Sequence, residues 1–173
     1  IYNLTVSKEK IKVTGVTAGA WTASGTTTGD LVVAGIPYVT FKAEQPQTFK
    51  MTAKGGYEIT GLQYSVNYGE WKTVAANEEV TFGGTNGTLR LRGTNTNGTA
   101  SAWSGYSTIT FTDKTVKVAC TGDIRTLLDW RIYNIVETNN ARFSYLFYDC
   151  SVLTSAPELP ATTLADNCRS EEH

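Results

Sequence analysis

The residues able to do chemistry are few, and their spacing restricts what they can do. The single histidine is His173, so neither a histidine-based nucleophile triad nor a multi-histidine zinc site can be assembled within one chain. Cys120, Cys150 and Cys168 contain no Cys-x-x-Cys pair. Their odd number leaves at least one thiol unbridged, and spacings this long fit no zinc ribbon. Asp113, Asp123 and Asp129 sit among turn-forming residues, and nothing in their order sets up the facing acid and base that carboxylate-only hydrolysis needs. No catalytic residue, metal or cofactor is expected, and the chain reads as a non-enzyme.

Aromatic side chains remain. Tyr68, Trp71, Trp103 and Tyr106 lie close to Gly- and Asn-rich turns, and Trp21 lies within TAGAWTASGTTTGD. Rings held at loop tips can stack on sugars or anchor a protein partner, so Tyr68, Trp71, Trp103 and Tyr106 are the candidate ligand-binding residues. The segment YSVNYGEW, residues 64–71, reads as a hairpin turning at Asn67-Tyr68-Gly69-Glu70. It also resembles the Asp-box turn of sialidases, with Asn67 in place of the aspartate and Trp71 one residue early. The hairpin is the stronger reading, because the match to the Asp-box is poor.

These side chains need a scaffold, and the composition indicates which kind. A length of 173 residues with 40% hydrophobic side chains supports one ordinary domain or two small ones. Charged residues are 18% and the net charge is -1, so the basic footprint that neutralises a phosphate backbone is absent and nucleic acid is not an expected partner. Thr and Gly are abundant while Met and His occur once each, a balance that favours strands and turns. No run of about 18 apolar residues occurs, so no membrane span is expected. The opening IYNLTVSKEK lacks the basic-then-apolar pattern of a secretory signal, and its strand-like character leads us to expect a mature or excised fragment.

Alternating runs mark the strands: residues 10–16, 38–43, 48–53, 61–67, 78–82, 88–92, 107–111 and 115–120. In LRLR, Leu89 and Leu91 are expected to face inward and Arg90 and Arg92 to face water. The connectors at 67–70, 83–87 and 95–98 supply the Gly and Asn that tolerate positive φ. The sequons at Asn3, Asn86 and Asn97 are read as turn residues. From Gly122 the character changes to GDIRTLLDWRIYNIV, with Asp123 available to cap one short helix. The expected fold class is mainly β: an antiparallel β-sandwich, Ig/fibronectin-like, followed by a short helix and a truncated leucine-rich repeat segment. The expected parts are a strand-bearing N-terminal segment or linker (1–35), the sandwich (36–119), a helical connector (120–142) and the partial repeat (143–173).

The repeat reading rests on LFYDCSVLTSAPELPATTLADNC, residues 146–168. This segment resembles one unit of the BspA-like leucine-rich repeats found in surface proteins of Bacteroidetes and relatives. Phe147, Cys150, Leu153, Pro157, Leu159, Pro160, Ala161, Leu164 and Cys168 fill that unit's pattern. Gly122, Ile124, Leu127 and Leu128 are similar to the connector that precedes such repeats. The resemblance implies that Cys150 and Cys168 are buried ladder positions rather than ligands. After Cys168 the sequence reads RSEEH where the family continues with an aromatic residue, so a truncated array, an artificial end or a short natural variant is expected. A leucine-rich unit buries its apolar face only against a neighbour or a cap. What the resemblance implies for function is an extracellular or cell-surface, adhesin-like module binding a host or cell-surface protein or glycan. A phage fibre or tail protein and a carbohydrate-binding accessory module are the alternatives.

Overall fold

The computed structural model describes residues 3–7, 10–14, 31–32, 35–101 and 104–158. The chain divides into two compact units, Ile1–Ile36 and Pro37–His173. In the first, β1 (Asn3–Ser7), β2 (Lys10–Thr14) and β3 (Leu31–Val32) form an antiparallel sheet in the order β1-β2-β3. The register pairs Asn3 with Thr14 and Ser7 with Lys10, a tight hairpin.

The second unit is mainly β, with two antiparallel sheets and very little helix. Its strands are β4 (Val39–Lys42), β5 (Gln47–Lys54), β6 (Leu62–Val66), β7 (Lys72–Thr73), β8 (Glu79–Phe82), β9 (Leu89–Gly93), β10 (Tyr106–Phe111) and β11 (Ala119–Thr121). One sheet has the order β10-β5-β8 and the other β11-β4-β9-β6-β7. Period-2 alternation sends one face of each sheet into a common core. Phe41 of the five-stranded sheet lies 6.1 Å from Phe49 and 5.3 Å from Phe111 of the three-stranded sheet, measured between ring centroids. Leu89, Leu91, Ile109 and Phe82 fill the same interior.

Several expectations are modified. The run 115–120 is strand only at its end. Its start is a turn in which Thr115 donates from its backbone N–H (2.8 Å) and its hydroxyl (2.6 Å) to Asp113 Oδ1. Buried Gln47 holds this turn, donating from Nε2 to the carbonyls of Asp113 and Val116 while Oε1 accepts from the N–H groups of Thr48 and Asp113. The short helix is α1 (Thr126–Asp129). Asp123 precedes it and accepts from the Arg125 N–H at 2.9 Å, an Asx turn at the helix start. Gly122, at φ +97°, lies so close to Tyr38 that an added Cβ would collide with its carbonyl oxygen, which accounts for the glycine at this position. One expectation is overturned: Arg90 does not face water but is buried on the outer face of the sheet.

Residues 120–158 join the same core through Leu127, Leu128, Phe143, Leu146, Phe147 and Val152. Phe147 lies 6.4 Å from Phe41. This tail also covers two sheet edges. Ile109 of β10 donates its N–H to Leu146 O (2.8 Å), while Val118, beside β11, donates to Val152 O (3.0 Å) and accepts from Thr154 N–H (2.9 Å). Val118 with Leu153, and Asp123 with Glu158, form parallel bridges. Because Phe143 is 1% exposed within the shared core, Phe143→Ala is expected to lower the stability of the unit by about 3–5 kcal/mol. Urea unfolding should show one shifted transition; a body that melts at its original midpoint would mean that the tail is not part of the cooperative unit.

Candidate functional site

The densest grouping of aromatic rings and guanidinium groups lies on the outer face of the five-stranded sheet. It begins with the hairpin between β6 and β7, whose turn closes through Gly69 N–H to Val66 O at 2.9 Å. Its central residues, Asn67 (φ 50°) and Tyr68 (φ 57°), both adopt positive φ. That geometry matches the right-handed twist of the flanking strands, and it is unusual for a tyrosine. Tyr68 remains 40% exposed, and Trp71 immediately precedes the return strand β7.

Strand β9 supplies the cations. Its alternation places Leu89 and Leu91 in the core and Arg90 and Arg92 on the opposite face. The Arg90 guanidinium lies 4.5 Å from the Tyr68 ring centroid, 5.1 Å from Trp71 and 5.5 Å from Tyr38. The Arg92 guanidinium lies 4.1 Å from Trp71 and 4.3 Å from Trp130, and Arg92 Nε donates to Gln63 Oε1 at 2.9 Å. Trp130 is anchored just after α1 by its N–H to Gly93 O at 3.1 Å. Tyr38 closes the group with an edge contact to Trp71 at 4.9 Å. Guanidinium groups held over aromatic faces are each stabilised by about 0.5–2 kcal/mol, so the array is ordered before any partner arrives. It offers aromatic surface and positive charge side by side, a combination suited to packing on sugar rings or on a protein surface.

The four candidates from the sequence separate. Tyr68 and Trp71 come together here through Arg90. Tyr106 belongs to a different cluster, stacked on Tyr145 at 4.3 Å, with Tyr148 a further 5.5 Å from Tyr145. Trp103 lies outside the described residues. Sequence reasoning missed Tyr38, Arg90, Arg92 and Trp130 as members of the site. Two arginines spaced by two on one strand were the available signal, since they must share a face. Alternation with inward-facing Val39 and Phe41 puts Tyr38 on an outer face, but nothing in the sequence sets β4 beside β9 or brings Trp130 there.

The titratable groups serve other ends. Asp113 is held below the usual carboxylate range by hydrogen bonds from Thr115. Asp123 binds Arg125 through both oxygens, the shortest contact being 2.7 Å, and Asp129 does the same with Arg131. The Arg131 hydrogen bonds likewise hold Asp129 low. These carboxylates fix turns. Among the described residues no three His, Cys, Asp or Glu side chains are grouped as a metal site, and no helix is long and apolar enough to cross a membrane. Comparison with protein-family models, with curated proteins and with solved structures finds no match to this chain.

Cys120 and Cys150 are free thiols. Burial raises the Cys120 thiol far above its ordinary range and pushes Cys150 up to about 11. With Cys150 near 11, about one side chain in a thousand is thiolate at pH 8. Iodoacetamide at pH 8, followed by peptide mapping, should leave both residues unmodified in the folded protein and label both in urea. Because folding raises these thiols above the ordinary value of about 8.5, their contribution to stability is complete at neutral pH. It should be lost progressively as pH rises through the alkaline range above that value, which denaturant midpoints measured from pH 7 to pH 11 will show.

Proposed function

We propose that this chain is a non-enzymatic, adhesin-like interaction module, exposed at a cell surface or extracellularly, that binds a host or cell-surface protein or glycan. The observation that carries this reading is the array in which Tyr68, Trp71 and Trp130 are held around Arg90 and Arg92. Large rings beside guanidinium groups, fixed by their mutual contacts and partly open to solvent, have the composition of interface anchors. A rigid sheet beneath them limits the entropy lost on binding. The engagement of Asp113, Asp123 and Asp129 in turns and ion pairs supports a binding role over a catalytic one.

In this reading the two-sheet body is an Ig/fibronectin-like sandwich. Residues 143–158 begin a BspA-like leucine-rich segment, and the parallel bridges of Leu153 with Val118 and of Glu158 with Asp123, on either side of β11, support that identification. Repeat units stack in parallel in this way because each needs a neighbour to cover its apolar face. The surface location follows from the resemblance to the repeat family.

The test is binding of the protein to glycan arrays and to intact cells, with Trp71→Ala and Tyr68→Asn as variants. Asparagine tolerates positive φ, so the second variant removes the ring while keeping the turn. Each variant is expected to weaken binding by about 2 kcal/mol, roughly 30-fold, and Tyr68→Asn should lower the melting temperature by only a few degrees, the size of one lost cation–π contact with Arg90. Binding that survives both substitutions would overturn the assignment of the array. An obligate trimer that binds neither cells nor glycans would favour the virion-fibre alternative.

A further inference from the structure

A cleft of about 410 Å³ opens where three loops converge. The loop between β5 and β6 contributes Tyr57 and Glu58, the loop between β9 and β10 contributes Asn95 and Asn97, and the tail contributes Asn140 and Arg142. The volume lies toward the lower end of small-ligand sites, roughly 300–1,000 Å³, suited to one or two sugar rings rather than a folded partner. The array on the sheet face shares none of these residues.

The walls are built before any ligand arrives. Tyr57 Oη donates to Gly98 O and accepts from Asn95 Nδ2, both at 3.2 Å. Arg142 N–H donates to Asn97 O at 3.0 Å, and Thr99 N–H donates to Arg142 O at 2.8 Å, joining the tail to the β9–β10 loop. This junction requires Gly98, at φ +88°, because an added Cβ would overlap the Arg142 backbone. Loops stitched together in this way lose little freedom on binding.

The chemistry of the lining selects the ligand. Carboxamides both donate and accept, so Asn97 and Asn140 can meet hydroxyl groups in either sense, while Asn95, whose Nδ2 donates to Tyr57 Oη and to Thr60 O, offers its Oδ1 as an acceptor. The Arg142 side chain is partly buried, and among the described residues no carboxylate pairs with it. A guanidinium in that setting is matched by the planar carboxylate of a ligand. Glu58, exposed at the rim, can accept from further hydroxyls. We propose that this cleft binds one acidic sugar residue, with Arg142 on the sugar carboxylate and the three asparagines on its hydroxyls. The inference goes beyond the interaction role given above and does not depend on the aromatic array.

Calorimetry and saturation-transfer NMR with glucuronic, galacturonic and N-acetylneuraminic acids, set against glucose and galactose, test it. At least one acid should bind about tenfold more tightly than the neutral sugars, the size of one charge-assisted hydrogen bond. That preference should shrink with added salt. Arg142→Gln should remove the preference, Asn140→Ala at its exposed position should weaken the acid, and the amide signals of Gly98 and Thr99 should shift on titration. Trp71→Ala should leave acid binding unchanged, which separates this site from the array. The proposal is overturned if no acid binds, if neutral sugars bind equally, if both cleft variants bind as the wild type does, or if Trp71→Ala abolishes acid binding.

Discussion

The second unit depends on closing an edge. Two sheets that share one aromatic core still expose backbone N–H and C=O groups wherever a terminal strand has no neighbour, and open edges are prone to pair with other chains. Here β10 ends one sheet and β11 ends the other. One stretch of tail meets both, taking the Ile109 N–H at Leu146 O and both backbone groups of Val118 through Val152 and Thr154. The same stretch inserts Phe143, Leu146, Phe147 and Val152 into the core. Hydrogen bonding along the edge and apolar burial beneath it therefore support each other, because one segment makes both sets of contacts.

That closure explains where the polar residues are placed. A tail with little regular secondary structure beyond α1 must satisfy much of its backbone through turns. Asp123 and Asp129, each clamped to an arginine two residues later, supply this locally. Gln47 does the same for the turn that leads into β11. Side chains that resemble reagents in the sequence are thus occupied as fasteners. The groups that remain available for recognition are rings, guanidinium groups and carboxamides on the sheet's outer face and on its loops, where a rigid scaffold can present them.

Much of the sheet body was legible. The runs at 38–43, 48–53, 61–67, 78–82, 88–92 and 107–111 correspond to β4, β5, β6, β8, β9 and β10, because strict alternation with β-branched and aromatic residues has one good physical solution. The short β7 carries no periodic signal of its own, since Lys72 and Thr73 are both exposed, and was legible only as the return strand of the hairpin turning at 67–70. Of the candidate site, Tyr68 and Trp71 were found from turn chemistry alone. Tyr106 was named for the same reason, yet its partner Tyr145 comes from a segment whose path follows no periodic pattern.

The sequence by itself determined that the chain is mainly β, where most of its strands and turns fall, and which face of each strand is apolar. Alternation and turn propensity are local properties, written within a few consecutive residues. Only the tertiary structure decided that Arg90 is buried beneath Tyr38, Tyr68 and Trp71 rather than exposed to water, and that Arg142 lies beside Asn97 and Gly98. These are meetings between residues far apart in the chain. They depend on strand order, on register and on the tail's passage along two edges, which are set by how the whole core closes.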